Sequence, residues 1–528
     1  MGSISSFPRS NFDKYSKISA EYSFDGLILH FNREMKELKP QHVLFFLLGV
    51  MLVLSPVVYF MPEEGVKVGN AEFNFMTKED FFHPKQQENA DVDDIFDLDT
   101  SMNAMTPPKK PLIKHKNGSN GNMGAPGGGS YEVESLVDLQ MTDAGKSNLH
   151  EFFTALSGAA SQQQRISILH YGDSQIEGDR ITGFVRERIQ NQFGGNGPGM
   201  IPATNVYETY SFNQTYSENF NRYTSFGGAR LSNSKYGAMA SASRFTPEYE
   251  LKTENSLDSL ELEEQTGWIE VGPSGRARTR ARSFNNVRMH YNSCIAPTML
   301  RVYQDGAVIH EDSLIMDGGQ HTVHLSFPST PSSLKFEFTG KISPNICAFS
   351  LEGDYGVQVS NIGMRGSSGT VWGRMNHGTL ATMYRELNTK MVIMQFGGNS
   401  VPSFTDSSSV RNFASYFKSQ INAVKRLNPG AMVIVIGPSD MSKYEEGLYN
   451  TYPLLPYCID RMIAATKETG SAYWNLYAAM GGYNSMPAWV EKGMAGSDYI
   501  HFSGAGSKFA AQMFYNALMV EYNSWKGK

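Results

Sequence analysis

Cysteine is almost missing from this 528-residue chain: Cys294, Cys347 and Cys458 are the only three. So few thiols cannot build a disulfide scaffold, and their spacing matches no metal site. Cys294 and Cys347 either pair in an oxidising compartment or stay apart as buried thiols. Charge of one sign is scarce too. A formal net charge of −6 offers no broad cationic surface for nucleic acid. The chain holds no Gly-x-Ser-x-Gly elbow, no His-Glu-x-x-His zinc helix and no P-loop. The glycines of GGNGPG, residues 194–199, lack the spacing and the following helix of a dinucleotide site. No metal and no cofactor is therefore expected. What the chain does have is 40% apolar residues and 12% aromatics, enough for a sizeable core. Its length allows two to four domains.

The strongest local signal is VLFFLLGVMLVLSPVVYFM, residues 43–61. It is uncharged and long enough to cross a hydrocarbon core of ~30 Å at about 1.5 Å per residue. The run is too long and starts too late for a cleaved signal peptide, and no small-residue cleavage site follows. Arg33, Lys36 and Lys39 precede it and PEEG follows. Lys and Arg stay on the cytoplasmic side, so residues 1–42 are expected inside and the rest of the chain outside. The MGSISS start fits a short myristoylation pattern and is read as a chance match. Residues 62–130 read as a disordered spacer, acidic first and then rich in Gly, Ser and Asn, in preference to a segment whose Phe residues dock on a partner.

From about residue 131 the pattern turns globular. Residues 135–160 predict a helix, RISILHYG a buried strand and RITGFVRERIQNQF an amphipathic helix. Residues 204–352 instead show short runs of period two bounded by Gly, Pro, Asn and Ser, which predicts an antiparallel β-sandwich. Within it, RARTRAR (276–282) would place Arg276, Arg278, Arg280 and Arg282 on one face of a strand. Such a stripe would bind an anionic polymer or, as the preferred reading, pair with nearby acids such as ELEE at 261–264. From about residue 353 to 528 strands and helices alternate again. The expectation is a doubly wound α/β domain, 131–203 and 353–528, interrupted by the 204–352 insertion.

In an open parallel sheet, sites form beyond the carboxyl ends of the strands. Those ends carry Ser174 after ISILHYG, Gly366 after VQVSNI, Asn399 after VIMQF, and Asp498 with His501 before the last helix. These types suit acyl transfer. A serine hydroxyl needs an adjacent base, which His501 can supply. Asp498 can hold the imidazole tautomer. Backbone N–H groups at Ser174 and Gly366 and the Asn399 amide can meet an oxyanion. Asp173 is read as a local hydrogen-bond acceptor, and His170 and His377 as ordinary residues.

GDSQIEG (172–178) resembles the first block of the SGNH, or GDSL-type, hydrolases. NIGMRG resembles the second block, GGN at 397–399 the third, and DYIH at 498–501 the fifth. They occur in the family's order. The resemblance implies the SGNH fold, Ser174, Asp498 and His501 as catalytic residues, an oxyanion hole of Ser174, Gly366 and Asn399, and no metal. Two positions depart from the pattern: Gln175 replaces an apolar residue, and Ser400 stands where Asp is frequent. The anchored arrangement is similar to that of bacterial cell-envelope SGNH proteins that act on O-acetylated polysaccharides. It implies a periplasmic or extracytoplasmic carbohydrate O-acetyl esterase whose insertion binds carbohydrate. The alternatives are an O-acyltransferase fed by a membrane acyltransferase partner and a glycan-binding scaffold without catalysis.

Overall fold

A computed structural model describes residues 40–60, 66–68, 71–73, 87–96, 136–249 and 262–527. The chain divides into two compact units, residues 1–86 and 87–528. In the first, α1 (Pro40–Phe60) is a 21-residue helix, exposed from Val43 to Val53, and its side chains beyond Val53 lie outside the described residues. Among the described residues no helix is long and apolar enough to cross a membrane. Strands β1 (Val66–Val68) and β2 (Ala71–Phe73) pair antiparallel, Val66 opposite Phe73. The spacer expected over 62–130 is thus not uniformly irregular.

The second unit corrects that expectation further. Residues 87–96 are docked on the C-terminal part of the chain. The Ala90 N–H donates to the Asn484 carbonyl oxygen, 3.0 Å, and Val92 is buried. Ile95 and Phe96 pack on the same core, with the Phe96 ring 5.3 Å from Trp489. Val92, Ile95 and Phe96 stand at helical i, i+3, i+4 spacing, so an acidic segment still owns one apolar face.

Next come α2 (Asp143–Gly158), β3 (Arg165–Gly172) and α3 (Thr182–Phe193). Helix α2 is shorter than expected because the Thr142 side chain caps it by accepting the Gly145 N–H. Residue Gln140, before the cap, pairs with Tyr473 instead.

The insertion follows: β4 (Gly199–Pro202), β5 (Phe212–Tyr216), β6 (Asn221–Thr224), β7 (Ser241–Arg244), β8 (Gln265–Pro273), β9 (Asn286–Asn292), β10 (Thr298–Gln304), β11 (Ala307–Ser313), β12 (His321–Ser326), β13 (Leu334–Gly340) and β14 (Asn345–Glu352). One sheet runs β11-β10-β13-β8-β5; the other runs β12-β9-β14-β7-β6, with β4 also on β14. All pairings are antiparallel. Phe336, Phe338, Phe349 and Leu300 fill the space between the sheets. The sandwich begins with β4, a few residues before the expected boundary at 204.

RARTRAR is not a strand. It forms a turn and a 3₁₀ turn at Arg280–Arg282, because Ala277 and Ala281 bury their methyl groups. Its arginines diverge: Arg276 pairs with Glu208, Arg278 lies over the Phe184 ring and Arg280 bonds Asn191. Among the described residues of ELEE, none is a partner. Cys294, Cys347 and Cys458 are free, buried thiols, so the first two do not pair. Cys294 belongs to the sandwich core and Cys347 to the layer beneath it.

The chain then returns to the α/β domain with β15 (Gly356–Gly363), α4 (His377–Glu386), β16 (Thr389–Gln395), α5 (Ser407–Leu427) and β17 (Met432–Ile436). A hairpin, β18 (Ser442–Glu445) and β19 (Leu448–Thr451), precedes α6 (Leu455–Lys467), β20 (Ala472–Trp474), α7 (Leu476–Ala479), α8 (Ser485–Glu491) and α9 (Gly504–Lys526). The parallel sheet has the order β15-β3-β16-β17-β20. Counted along the chain this is 2-1-3-4-5, a doubly wound order whose crevice opens between the first and third strands. Alternate residues feed opposite layers: Ile166 and Ile168 face α2, α3 and α9, while Leu169 and Tyr171 face α4, α5 and α6. The insertion shares that second layer through Met200, Ala242 and Ala348.

Candidate active site

At the carboxyl end of the sheet a cleft of about 730 Å³ is lined by Ser174, Gly366, Asn399 and His501. Strand β3 delivers Ser174. Its last residue, Gly172, leads into a 3₁₀ turn over Ser174–Asp179, capped by Asp173, whose carboxylate accepts the Gln175 N–H at 3.0 Å. This puts the Ser174 hydroxyl at the crevice floor, where it meets His501 Nε2 at 2.7 Å.

His501 comes from the loop before α9. Its Nδ1 lies 2.7 Å from Asp498 Oδ2. The other oxygen, Asp498 Oδ1, accepts the N–H groups of Ile500 and His501, both at 3.0 Å. Partial burial would raise the Asp498 pKa, but the His501 and Ile500 hydrogen bonds outweigh it and hold the carboxyl below its usual value. A carboxylate at this distance favours the tautomer with the proton on Nδ1, which leaves a lone pair on Nε2 toward Ser174.

The remaining sequence-predicted residues are at the same rim. Gly366, φ +74°, follows β15 in a loop tied down by the Met364 N–H to the Gly172 carbonyl oxygen, 2.7 Å. Neither the Ser174 nor the Gly366 N–H donates to another group among the described residues. Asn399 stands in the 3₁₀ turn Gly398–Ser403 after β16, and its Nδ2 donates to the Ser367 carbonyl oxygen at 3.2 Å. Asp173 is buried, which raises its pKa to about 6 despite the Gln175 N–H and nearby His501 and Arg180. His170 lies away from the cleft between Thr182 and Gln395, and burial lowers its pKa to about 3. Among the described residues no cluster of His, Cys, Asp and Glu could hold a metal.

Several further cleft residues had no role assigned from the sequence. The insertion contributes Glu208 and Tyr210 to the wall. Arg365 pairs with Glu177, Nε to Oε2 2.6 Å, and its guanidinium lies 5.1 Å from the Tyr207 ring. Arg180 donates to the Ser174 carbonyl oxygen and to that of Glu177. Gln175, visible in the sequence only as a departure from its motif, reaches across to the His501 loop.

The fold and this arrangement are similar to those of solved ester hydrolases. A solved peptidoglycan O-acetylesterase superposes with TM-score 0.56 at 19% identity, over 73% of this chain and 99% of its own. Also similar are a family-two carbohydrate esterase from Clostridium thermocellum, 12% identical over 50% of this chain and 94% of its own, TM-score 0.19, and one from Corynascus thermopiles with a carbohydrate-binding domain, 9% over 50% and 96%, TM-score 0.25. No protein-family profile matches the sequence. No curated protein matches it either.

Proposed function

We propose that the chain is a serine ester hydrolase that removes O-acetyl groups from carbohydrate. The observation that carries this reading is the unbroken relay from the Ser174 hydroxyl through His501 to Asp498, set in a cleft beside two N–H groups that have no acceptor among the described residues. His501 Nε2 takes the hydroxyl proton as Ser174 Oγ attacks the acetyl carbonyl carbon. The N–H groups of Ser174 and Gly366 and the Asn399 amide meet the resulting oxyanion. The C–O bond to the sugar breaks, and the proton on Nε2 passes to the leaving sugar oxygen. Water then adds to the acyl-serine with His501 again as base, releasing acetate and restoring Ser174. A cleft this large and open holds a sugar chain rather than an acetyl group alone. Its similarity in fold to a peptidoglycan O-acetylesterase supports a glycan substrate.

The proposal extends to location. Its support is the sequence, whose run 43–61 is uncharged and long enough to cross a hydrocarbon core of ~30 Å, since α1 within the described residues does not itself qualify. With Arg33, Lys36 and Lys39 before it, residues 43–61 are assigned as a single span, N-terminus inside, that places the cleft outside the cytoplasmic membrane.

The test is acetate release from O-acetylated cell-wall and capsular glycans, alongside p-nitrophenyl acetate hydrolysis, by the wild type and Ser174→Ala. Turnover by the wild type and its loss in the variant are expected. No turnover by the wild type, or an unaffected variant, would leave a glycan-binding scaffold. Acetyl transfer to an added oligosaccharide in place of release would make the acceptor a sugar hydroxyl instead of water.

A further inference from the structure

We propose that Gln175 is a positioning residue for His501, a role that rests on reading Ser174 and His501 as nucleophile and base. The Gln175 side chain is buried, and its amide brackets the histidine from both sides. Nε2 donates to the Ile500 carbonyl oxygen at 2.7 Å, and Oε1 accepts the Phe502 N–H at 3.3 Å. Ile500 and Phe502 are the residues on either side of His501, so one planar group grips the backbone across the base. A weaker donation to Ser439 Oγ, 3.3 Å, fixes the amide's roll.

The consequence is geometric. Gln175 is bonded covalently to Ser174, and its amide is hydrogen-bonded to the peptide that carries His501. These two connections close a short ring around the Ser174 Oγ to His501 Nε2 contact. The histidine loop has its own internal turn, with the Gly496 N–H on the His501 carbonyl oxygen at 2.8 Å and the Tyr499 N–H on that of Gly496 at 3.0 Å. That turn shapes the loop but does not set its distance from β3. Among the described residues, besides the Ser174–His501 contact, the other direct hydrogen bond between the nucleophile turn and this loop is from the Arg180 guanidinium, whose Nη1 reaches the Phe502 carbonyl oxygen at 3.4 Å, a marginal bond. An apolar residue at position 175 would fill the volume but could grip neither the N–H nor the carbonyl. The polar departure from the motif is therefore a second attachment of the base to the nucleophile turn.

The test uses the full-length protein in detergent and Gln175→Met, which keeps length and volume while removing both bonds. A base misplaced by about an ångström costs on the order of 100-fold. The expected result on p-nitrophenyl acetate is a kcat lower by roughly 10- to 100-fold with KM within about twofold. In a His501→Ala background the same substitution is expected to change the residual rate by less than about twofold, because its effect runs through the imidazole. An equal loss in both backgrounds, or none in the wild type, overturns the proposal. A readout independent of turnover is ¹⁵N NMR of labelled histidine. The wild type is expected to show His501 as a single tautomer with its Nδ1 proton held, and Gln175→Met to show averaged ring signals. Identical spectra overturn the positioning role even if the wild type hydrolyses no ester. An inactive wild type with the expected spectral change would instead sink only the catalytic reading.

Discussion

In the proposed relay His501 acts as a base only while its proton is on Nδ1, the tautomer that the Asp498 carboxylate 2.7 Å away favours. In Asp498→Asn, an amide N–H facing Nδ1 would favour the other tautomer, with the proton directed at Ser174. A kcat loss of roughly 10²- to 10⁴-fold is expected, with KM little changed, measured on p-nitrophenyl acetate. A loss under about threefold would remove Asp498 from the relay. Gly178 carries the other residue-scale consequence. It sits at φ +68°, and a Cβ there would lie 2.7 Å from the Glu208 carbonyl oxygen. Gly178→Ala combines left-handed strain of about 1 kcal/mol with a push on the segment that brings Glu208 and Tyr210 into the cleft. A melting temperature lower by a few degrees is expected, and a KM for acetylated glycan that rises more than that for p-nitrophenyl acetate. Three of the five candidate positions, Ser174, Gly366 and Asn399, could be read because they follow strands, where a buried run stops and a small or polar residue follows, while Asp498 and His501 were read from their Asp-x-x-His pattern before the last helix. Gln175 could be seen as an irregularity but not understood. The backbone it grips is more than 300 residues away along the chain, and no local pattern encodes that distance.

At the scale of elements, the parallel strands were legible because residues covered on both faces are nearly all apolar, as in β16 and β17. The sandwich strands were legible from alternation, as in LKFEFTG. The same alternation misled at RARTRAR. Arg and Ala at period two fit a strand as well as a turn that buries two alanines, and packing decided for the turn. The segment 87–96 hid its apolar stripe among acids. Its docking has a functional corollary. The Gln87 amide pairs with both the N–H and the carbonyl of Tyr449, each at 2.8 Å. The Tyr449 ring stacks on Tyr499 at 3.5 Å, and Tyr499 follows Asp498 directly. The strap therefore backs the acid–histidine loop. Val92→Asp, which buries a charge without a partner, is expected to cost roughly 3 kcal/mol or more in urea unfolding and to lower kcat in parallel. Catalytic fragments that start at residue 131 are expected to turn over more slowly than those that start at 87, and unchanged rates would reduce the strap to packing.

For the whole molecule, the insertion and the α/β domain share one apolar layer, so residues 136–527 are expected to unfold together rather than as two transitions. Its response to acid follows from histidines buried without charge. His170 and His290 are held by Thr182 and Gln395, and by Thr322 and Ser350, and burial lowers both from 6.5 to about 3. Between those values the unfolded chain binds protons at these sites and the folded chain does not. Stability from both is therefore full above about pH 6.5 and is lost as pH falls toward 3. Asp173 and Asp440 act in the opposite sense. Burial raises them from 3.8 to about 6, so the folded state holds the extra protons in that window and their penalty eases on acidification. Between about pH 6 and 4 the two pairs nearly cancel, and the net sign comes from the ends of the window, where the histidines titrate above pH 6 and remain uncharged in the folded chain below pH 4. Unfolding free energy is expected to fall from pH 6.5 to 4, measured by urea titration at half-unit steps. In His290→Gln, where the amide can still bond Thr322 or Ser350, the slope should drop by up to ~1.4 kcal/mol per pH unit, the weight of one proton. A slope unchanged in the variant would mean that the buried imidazole of His290 does not contribute to the acid limb.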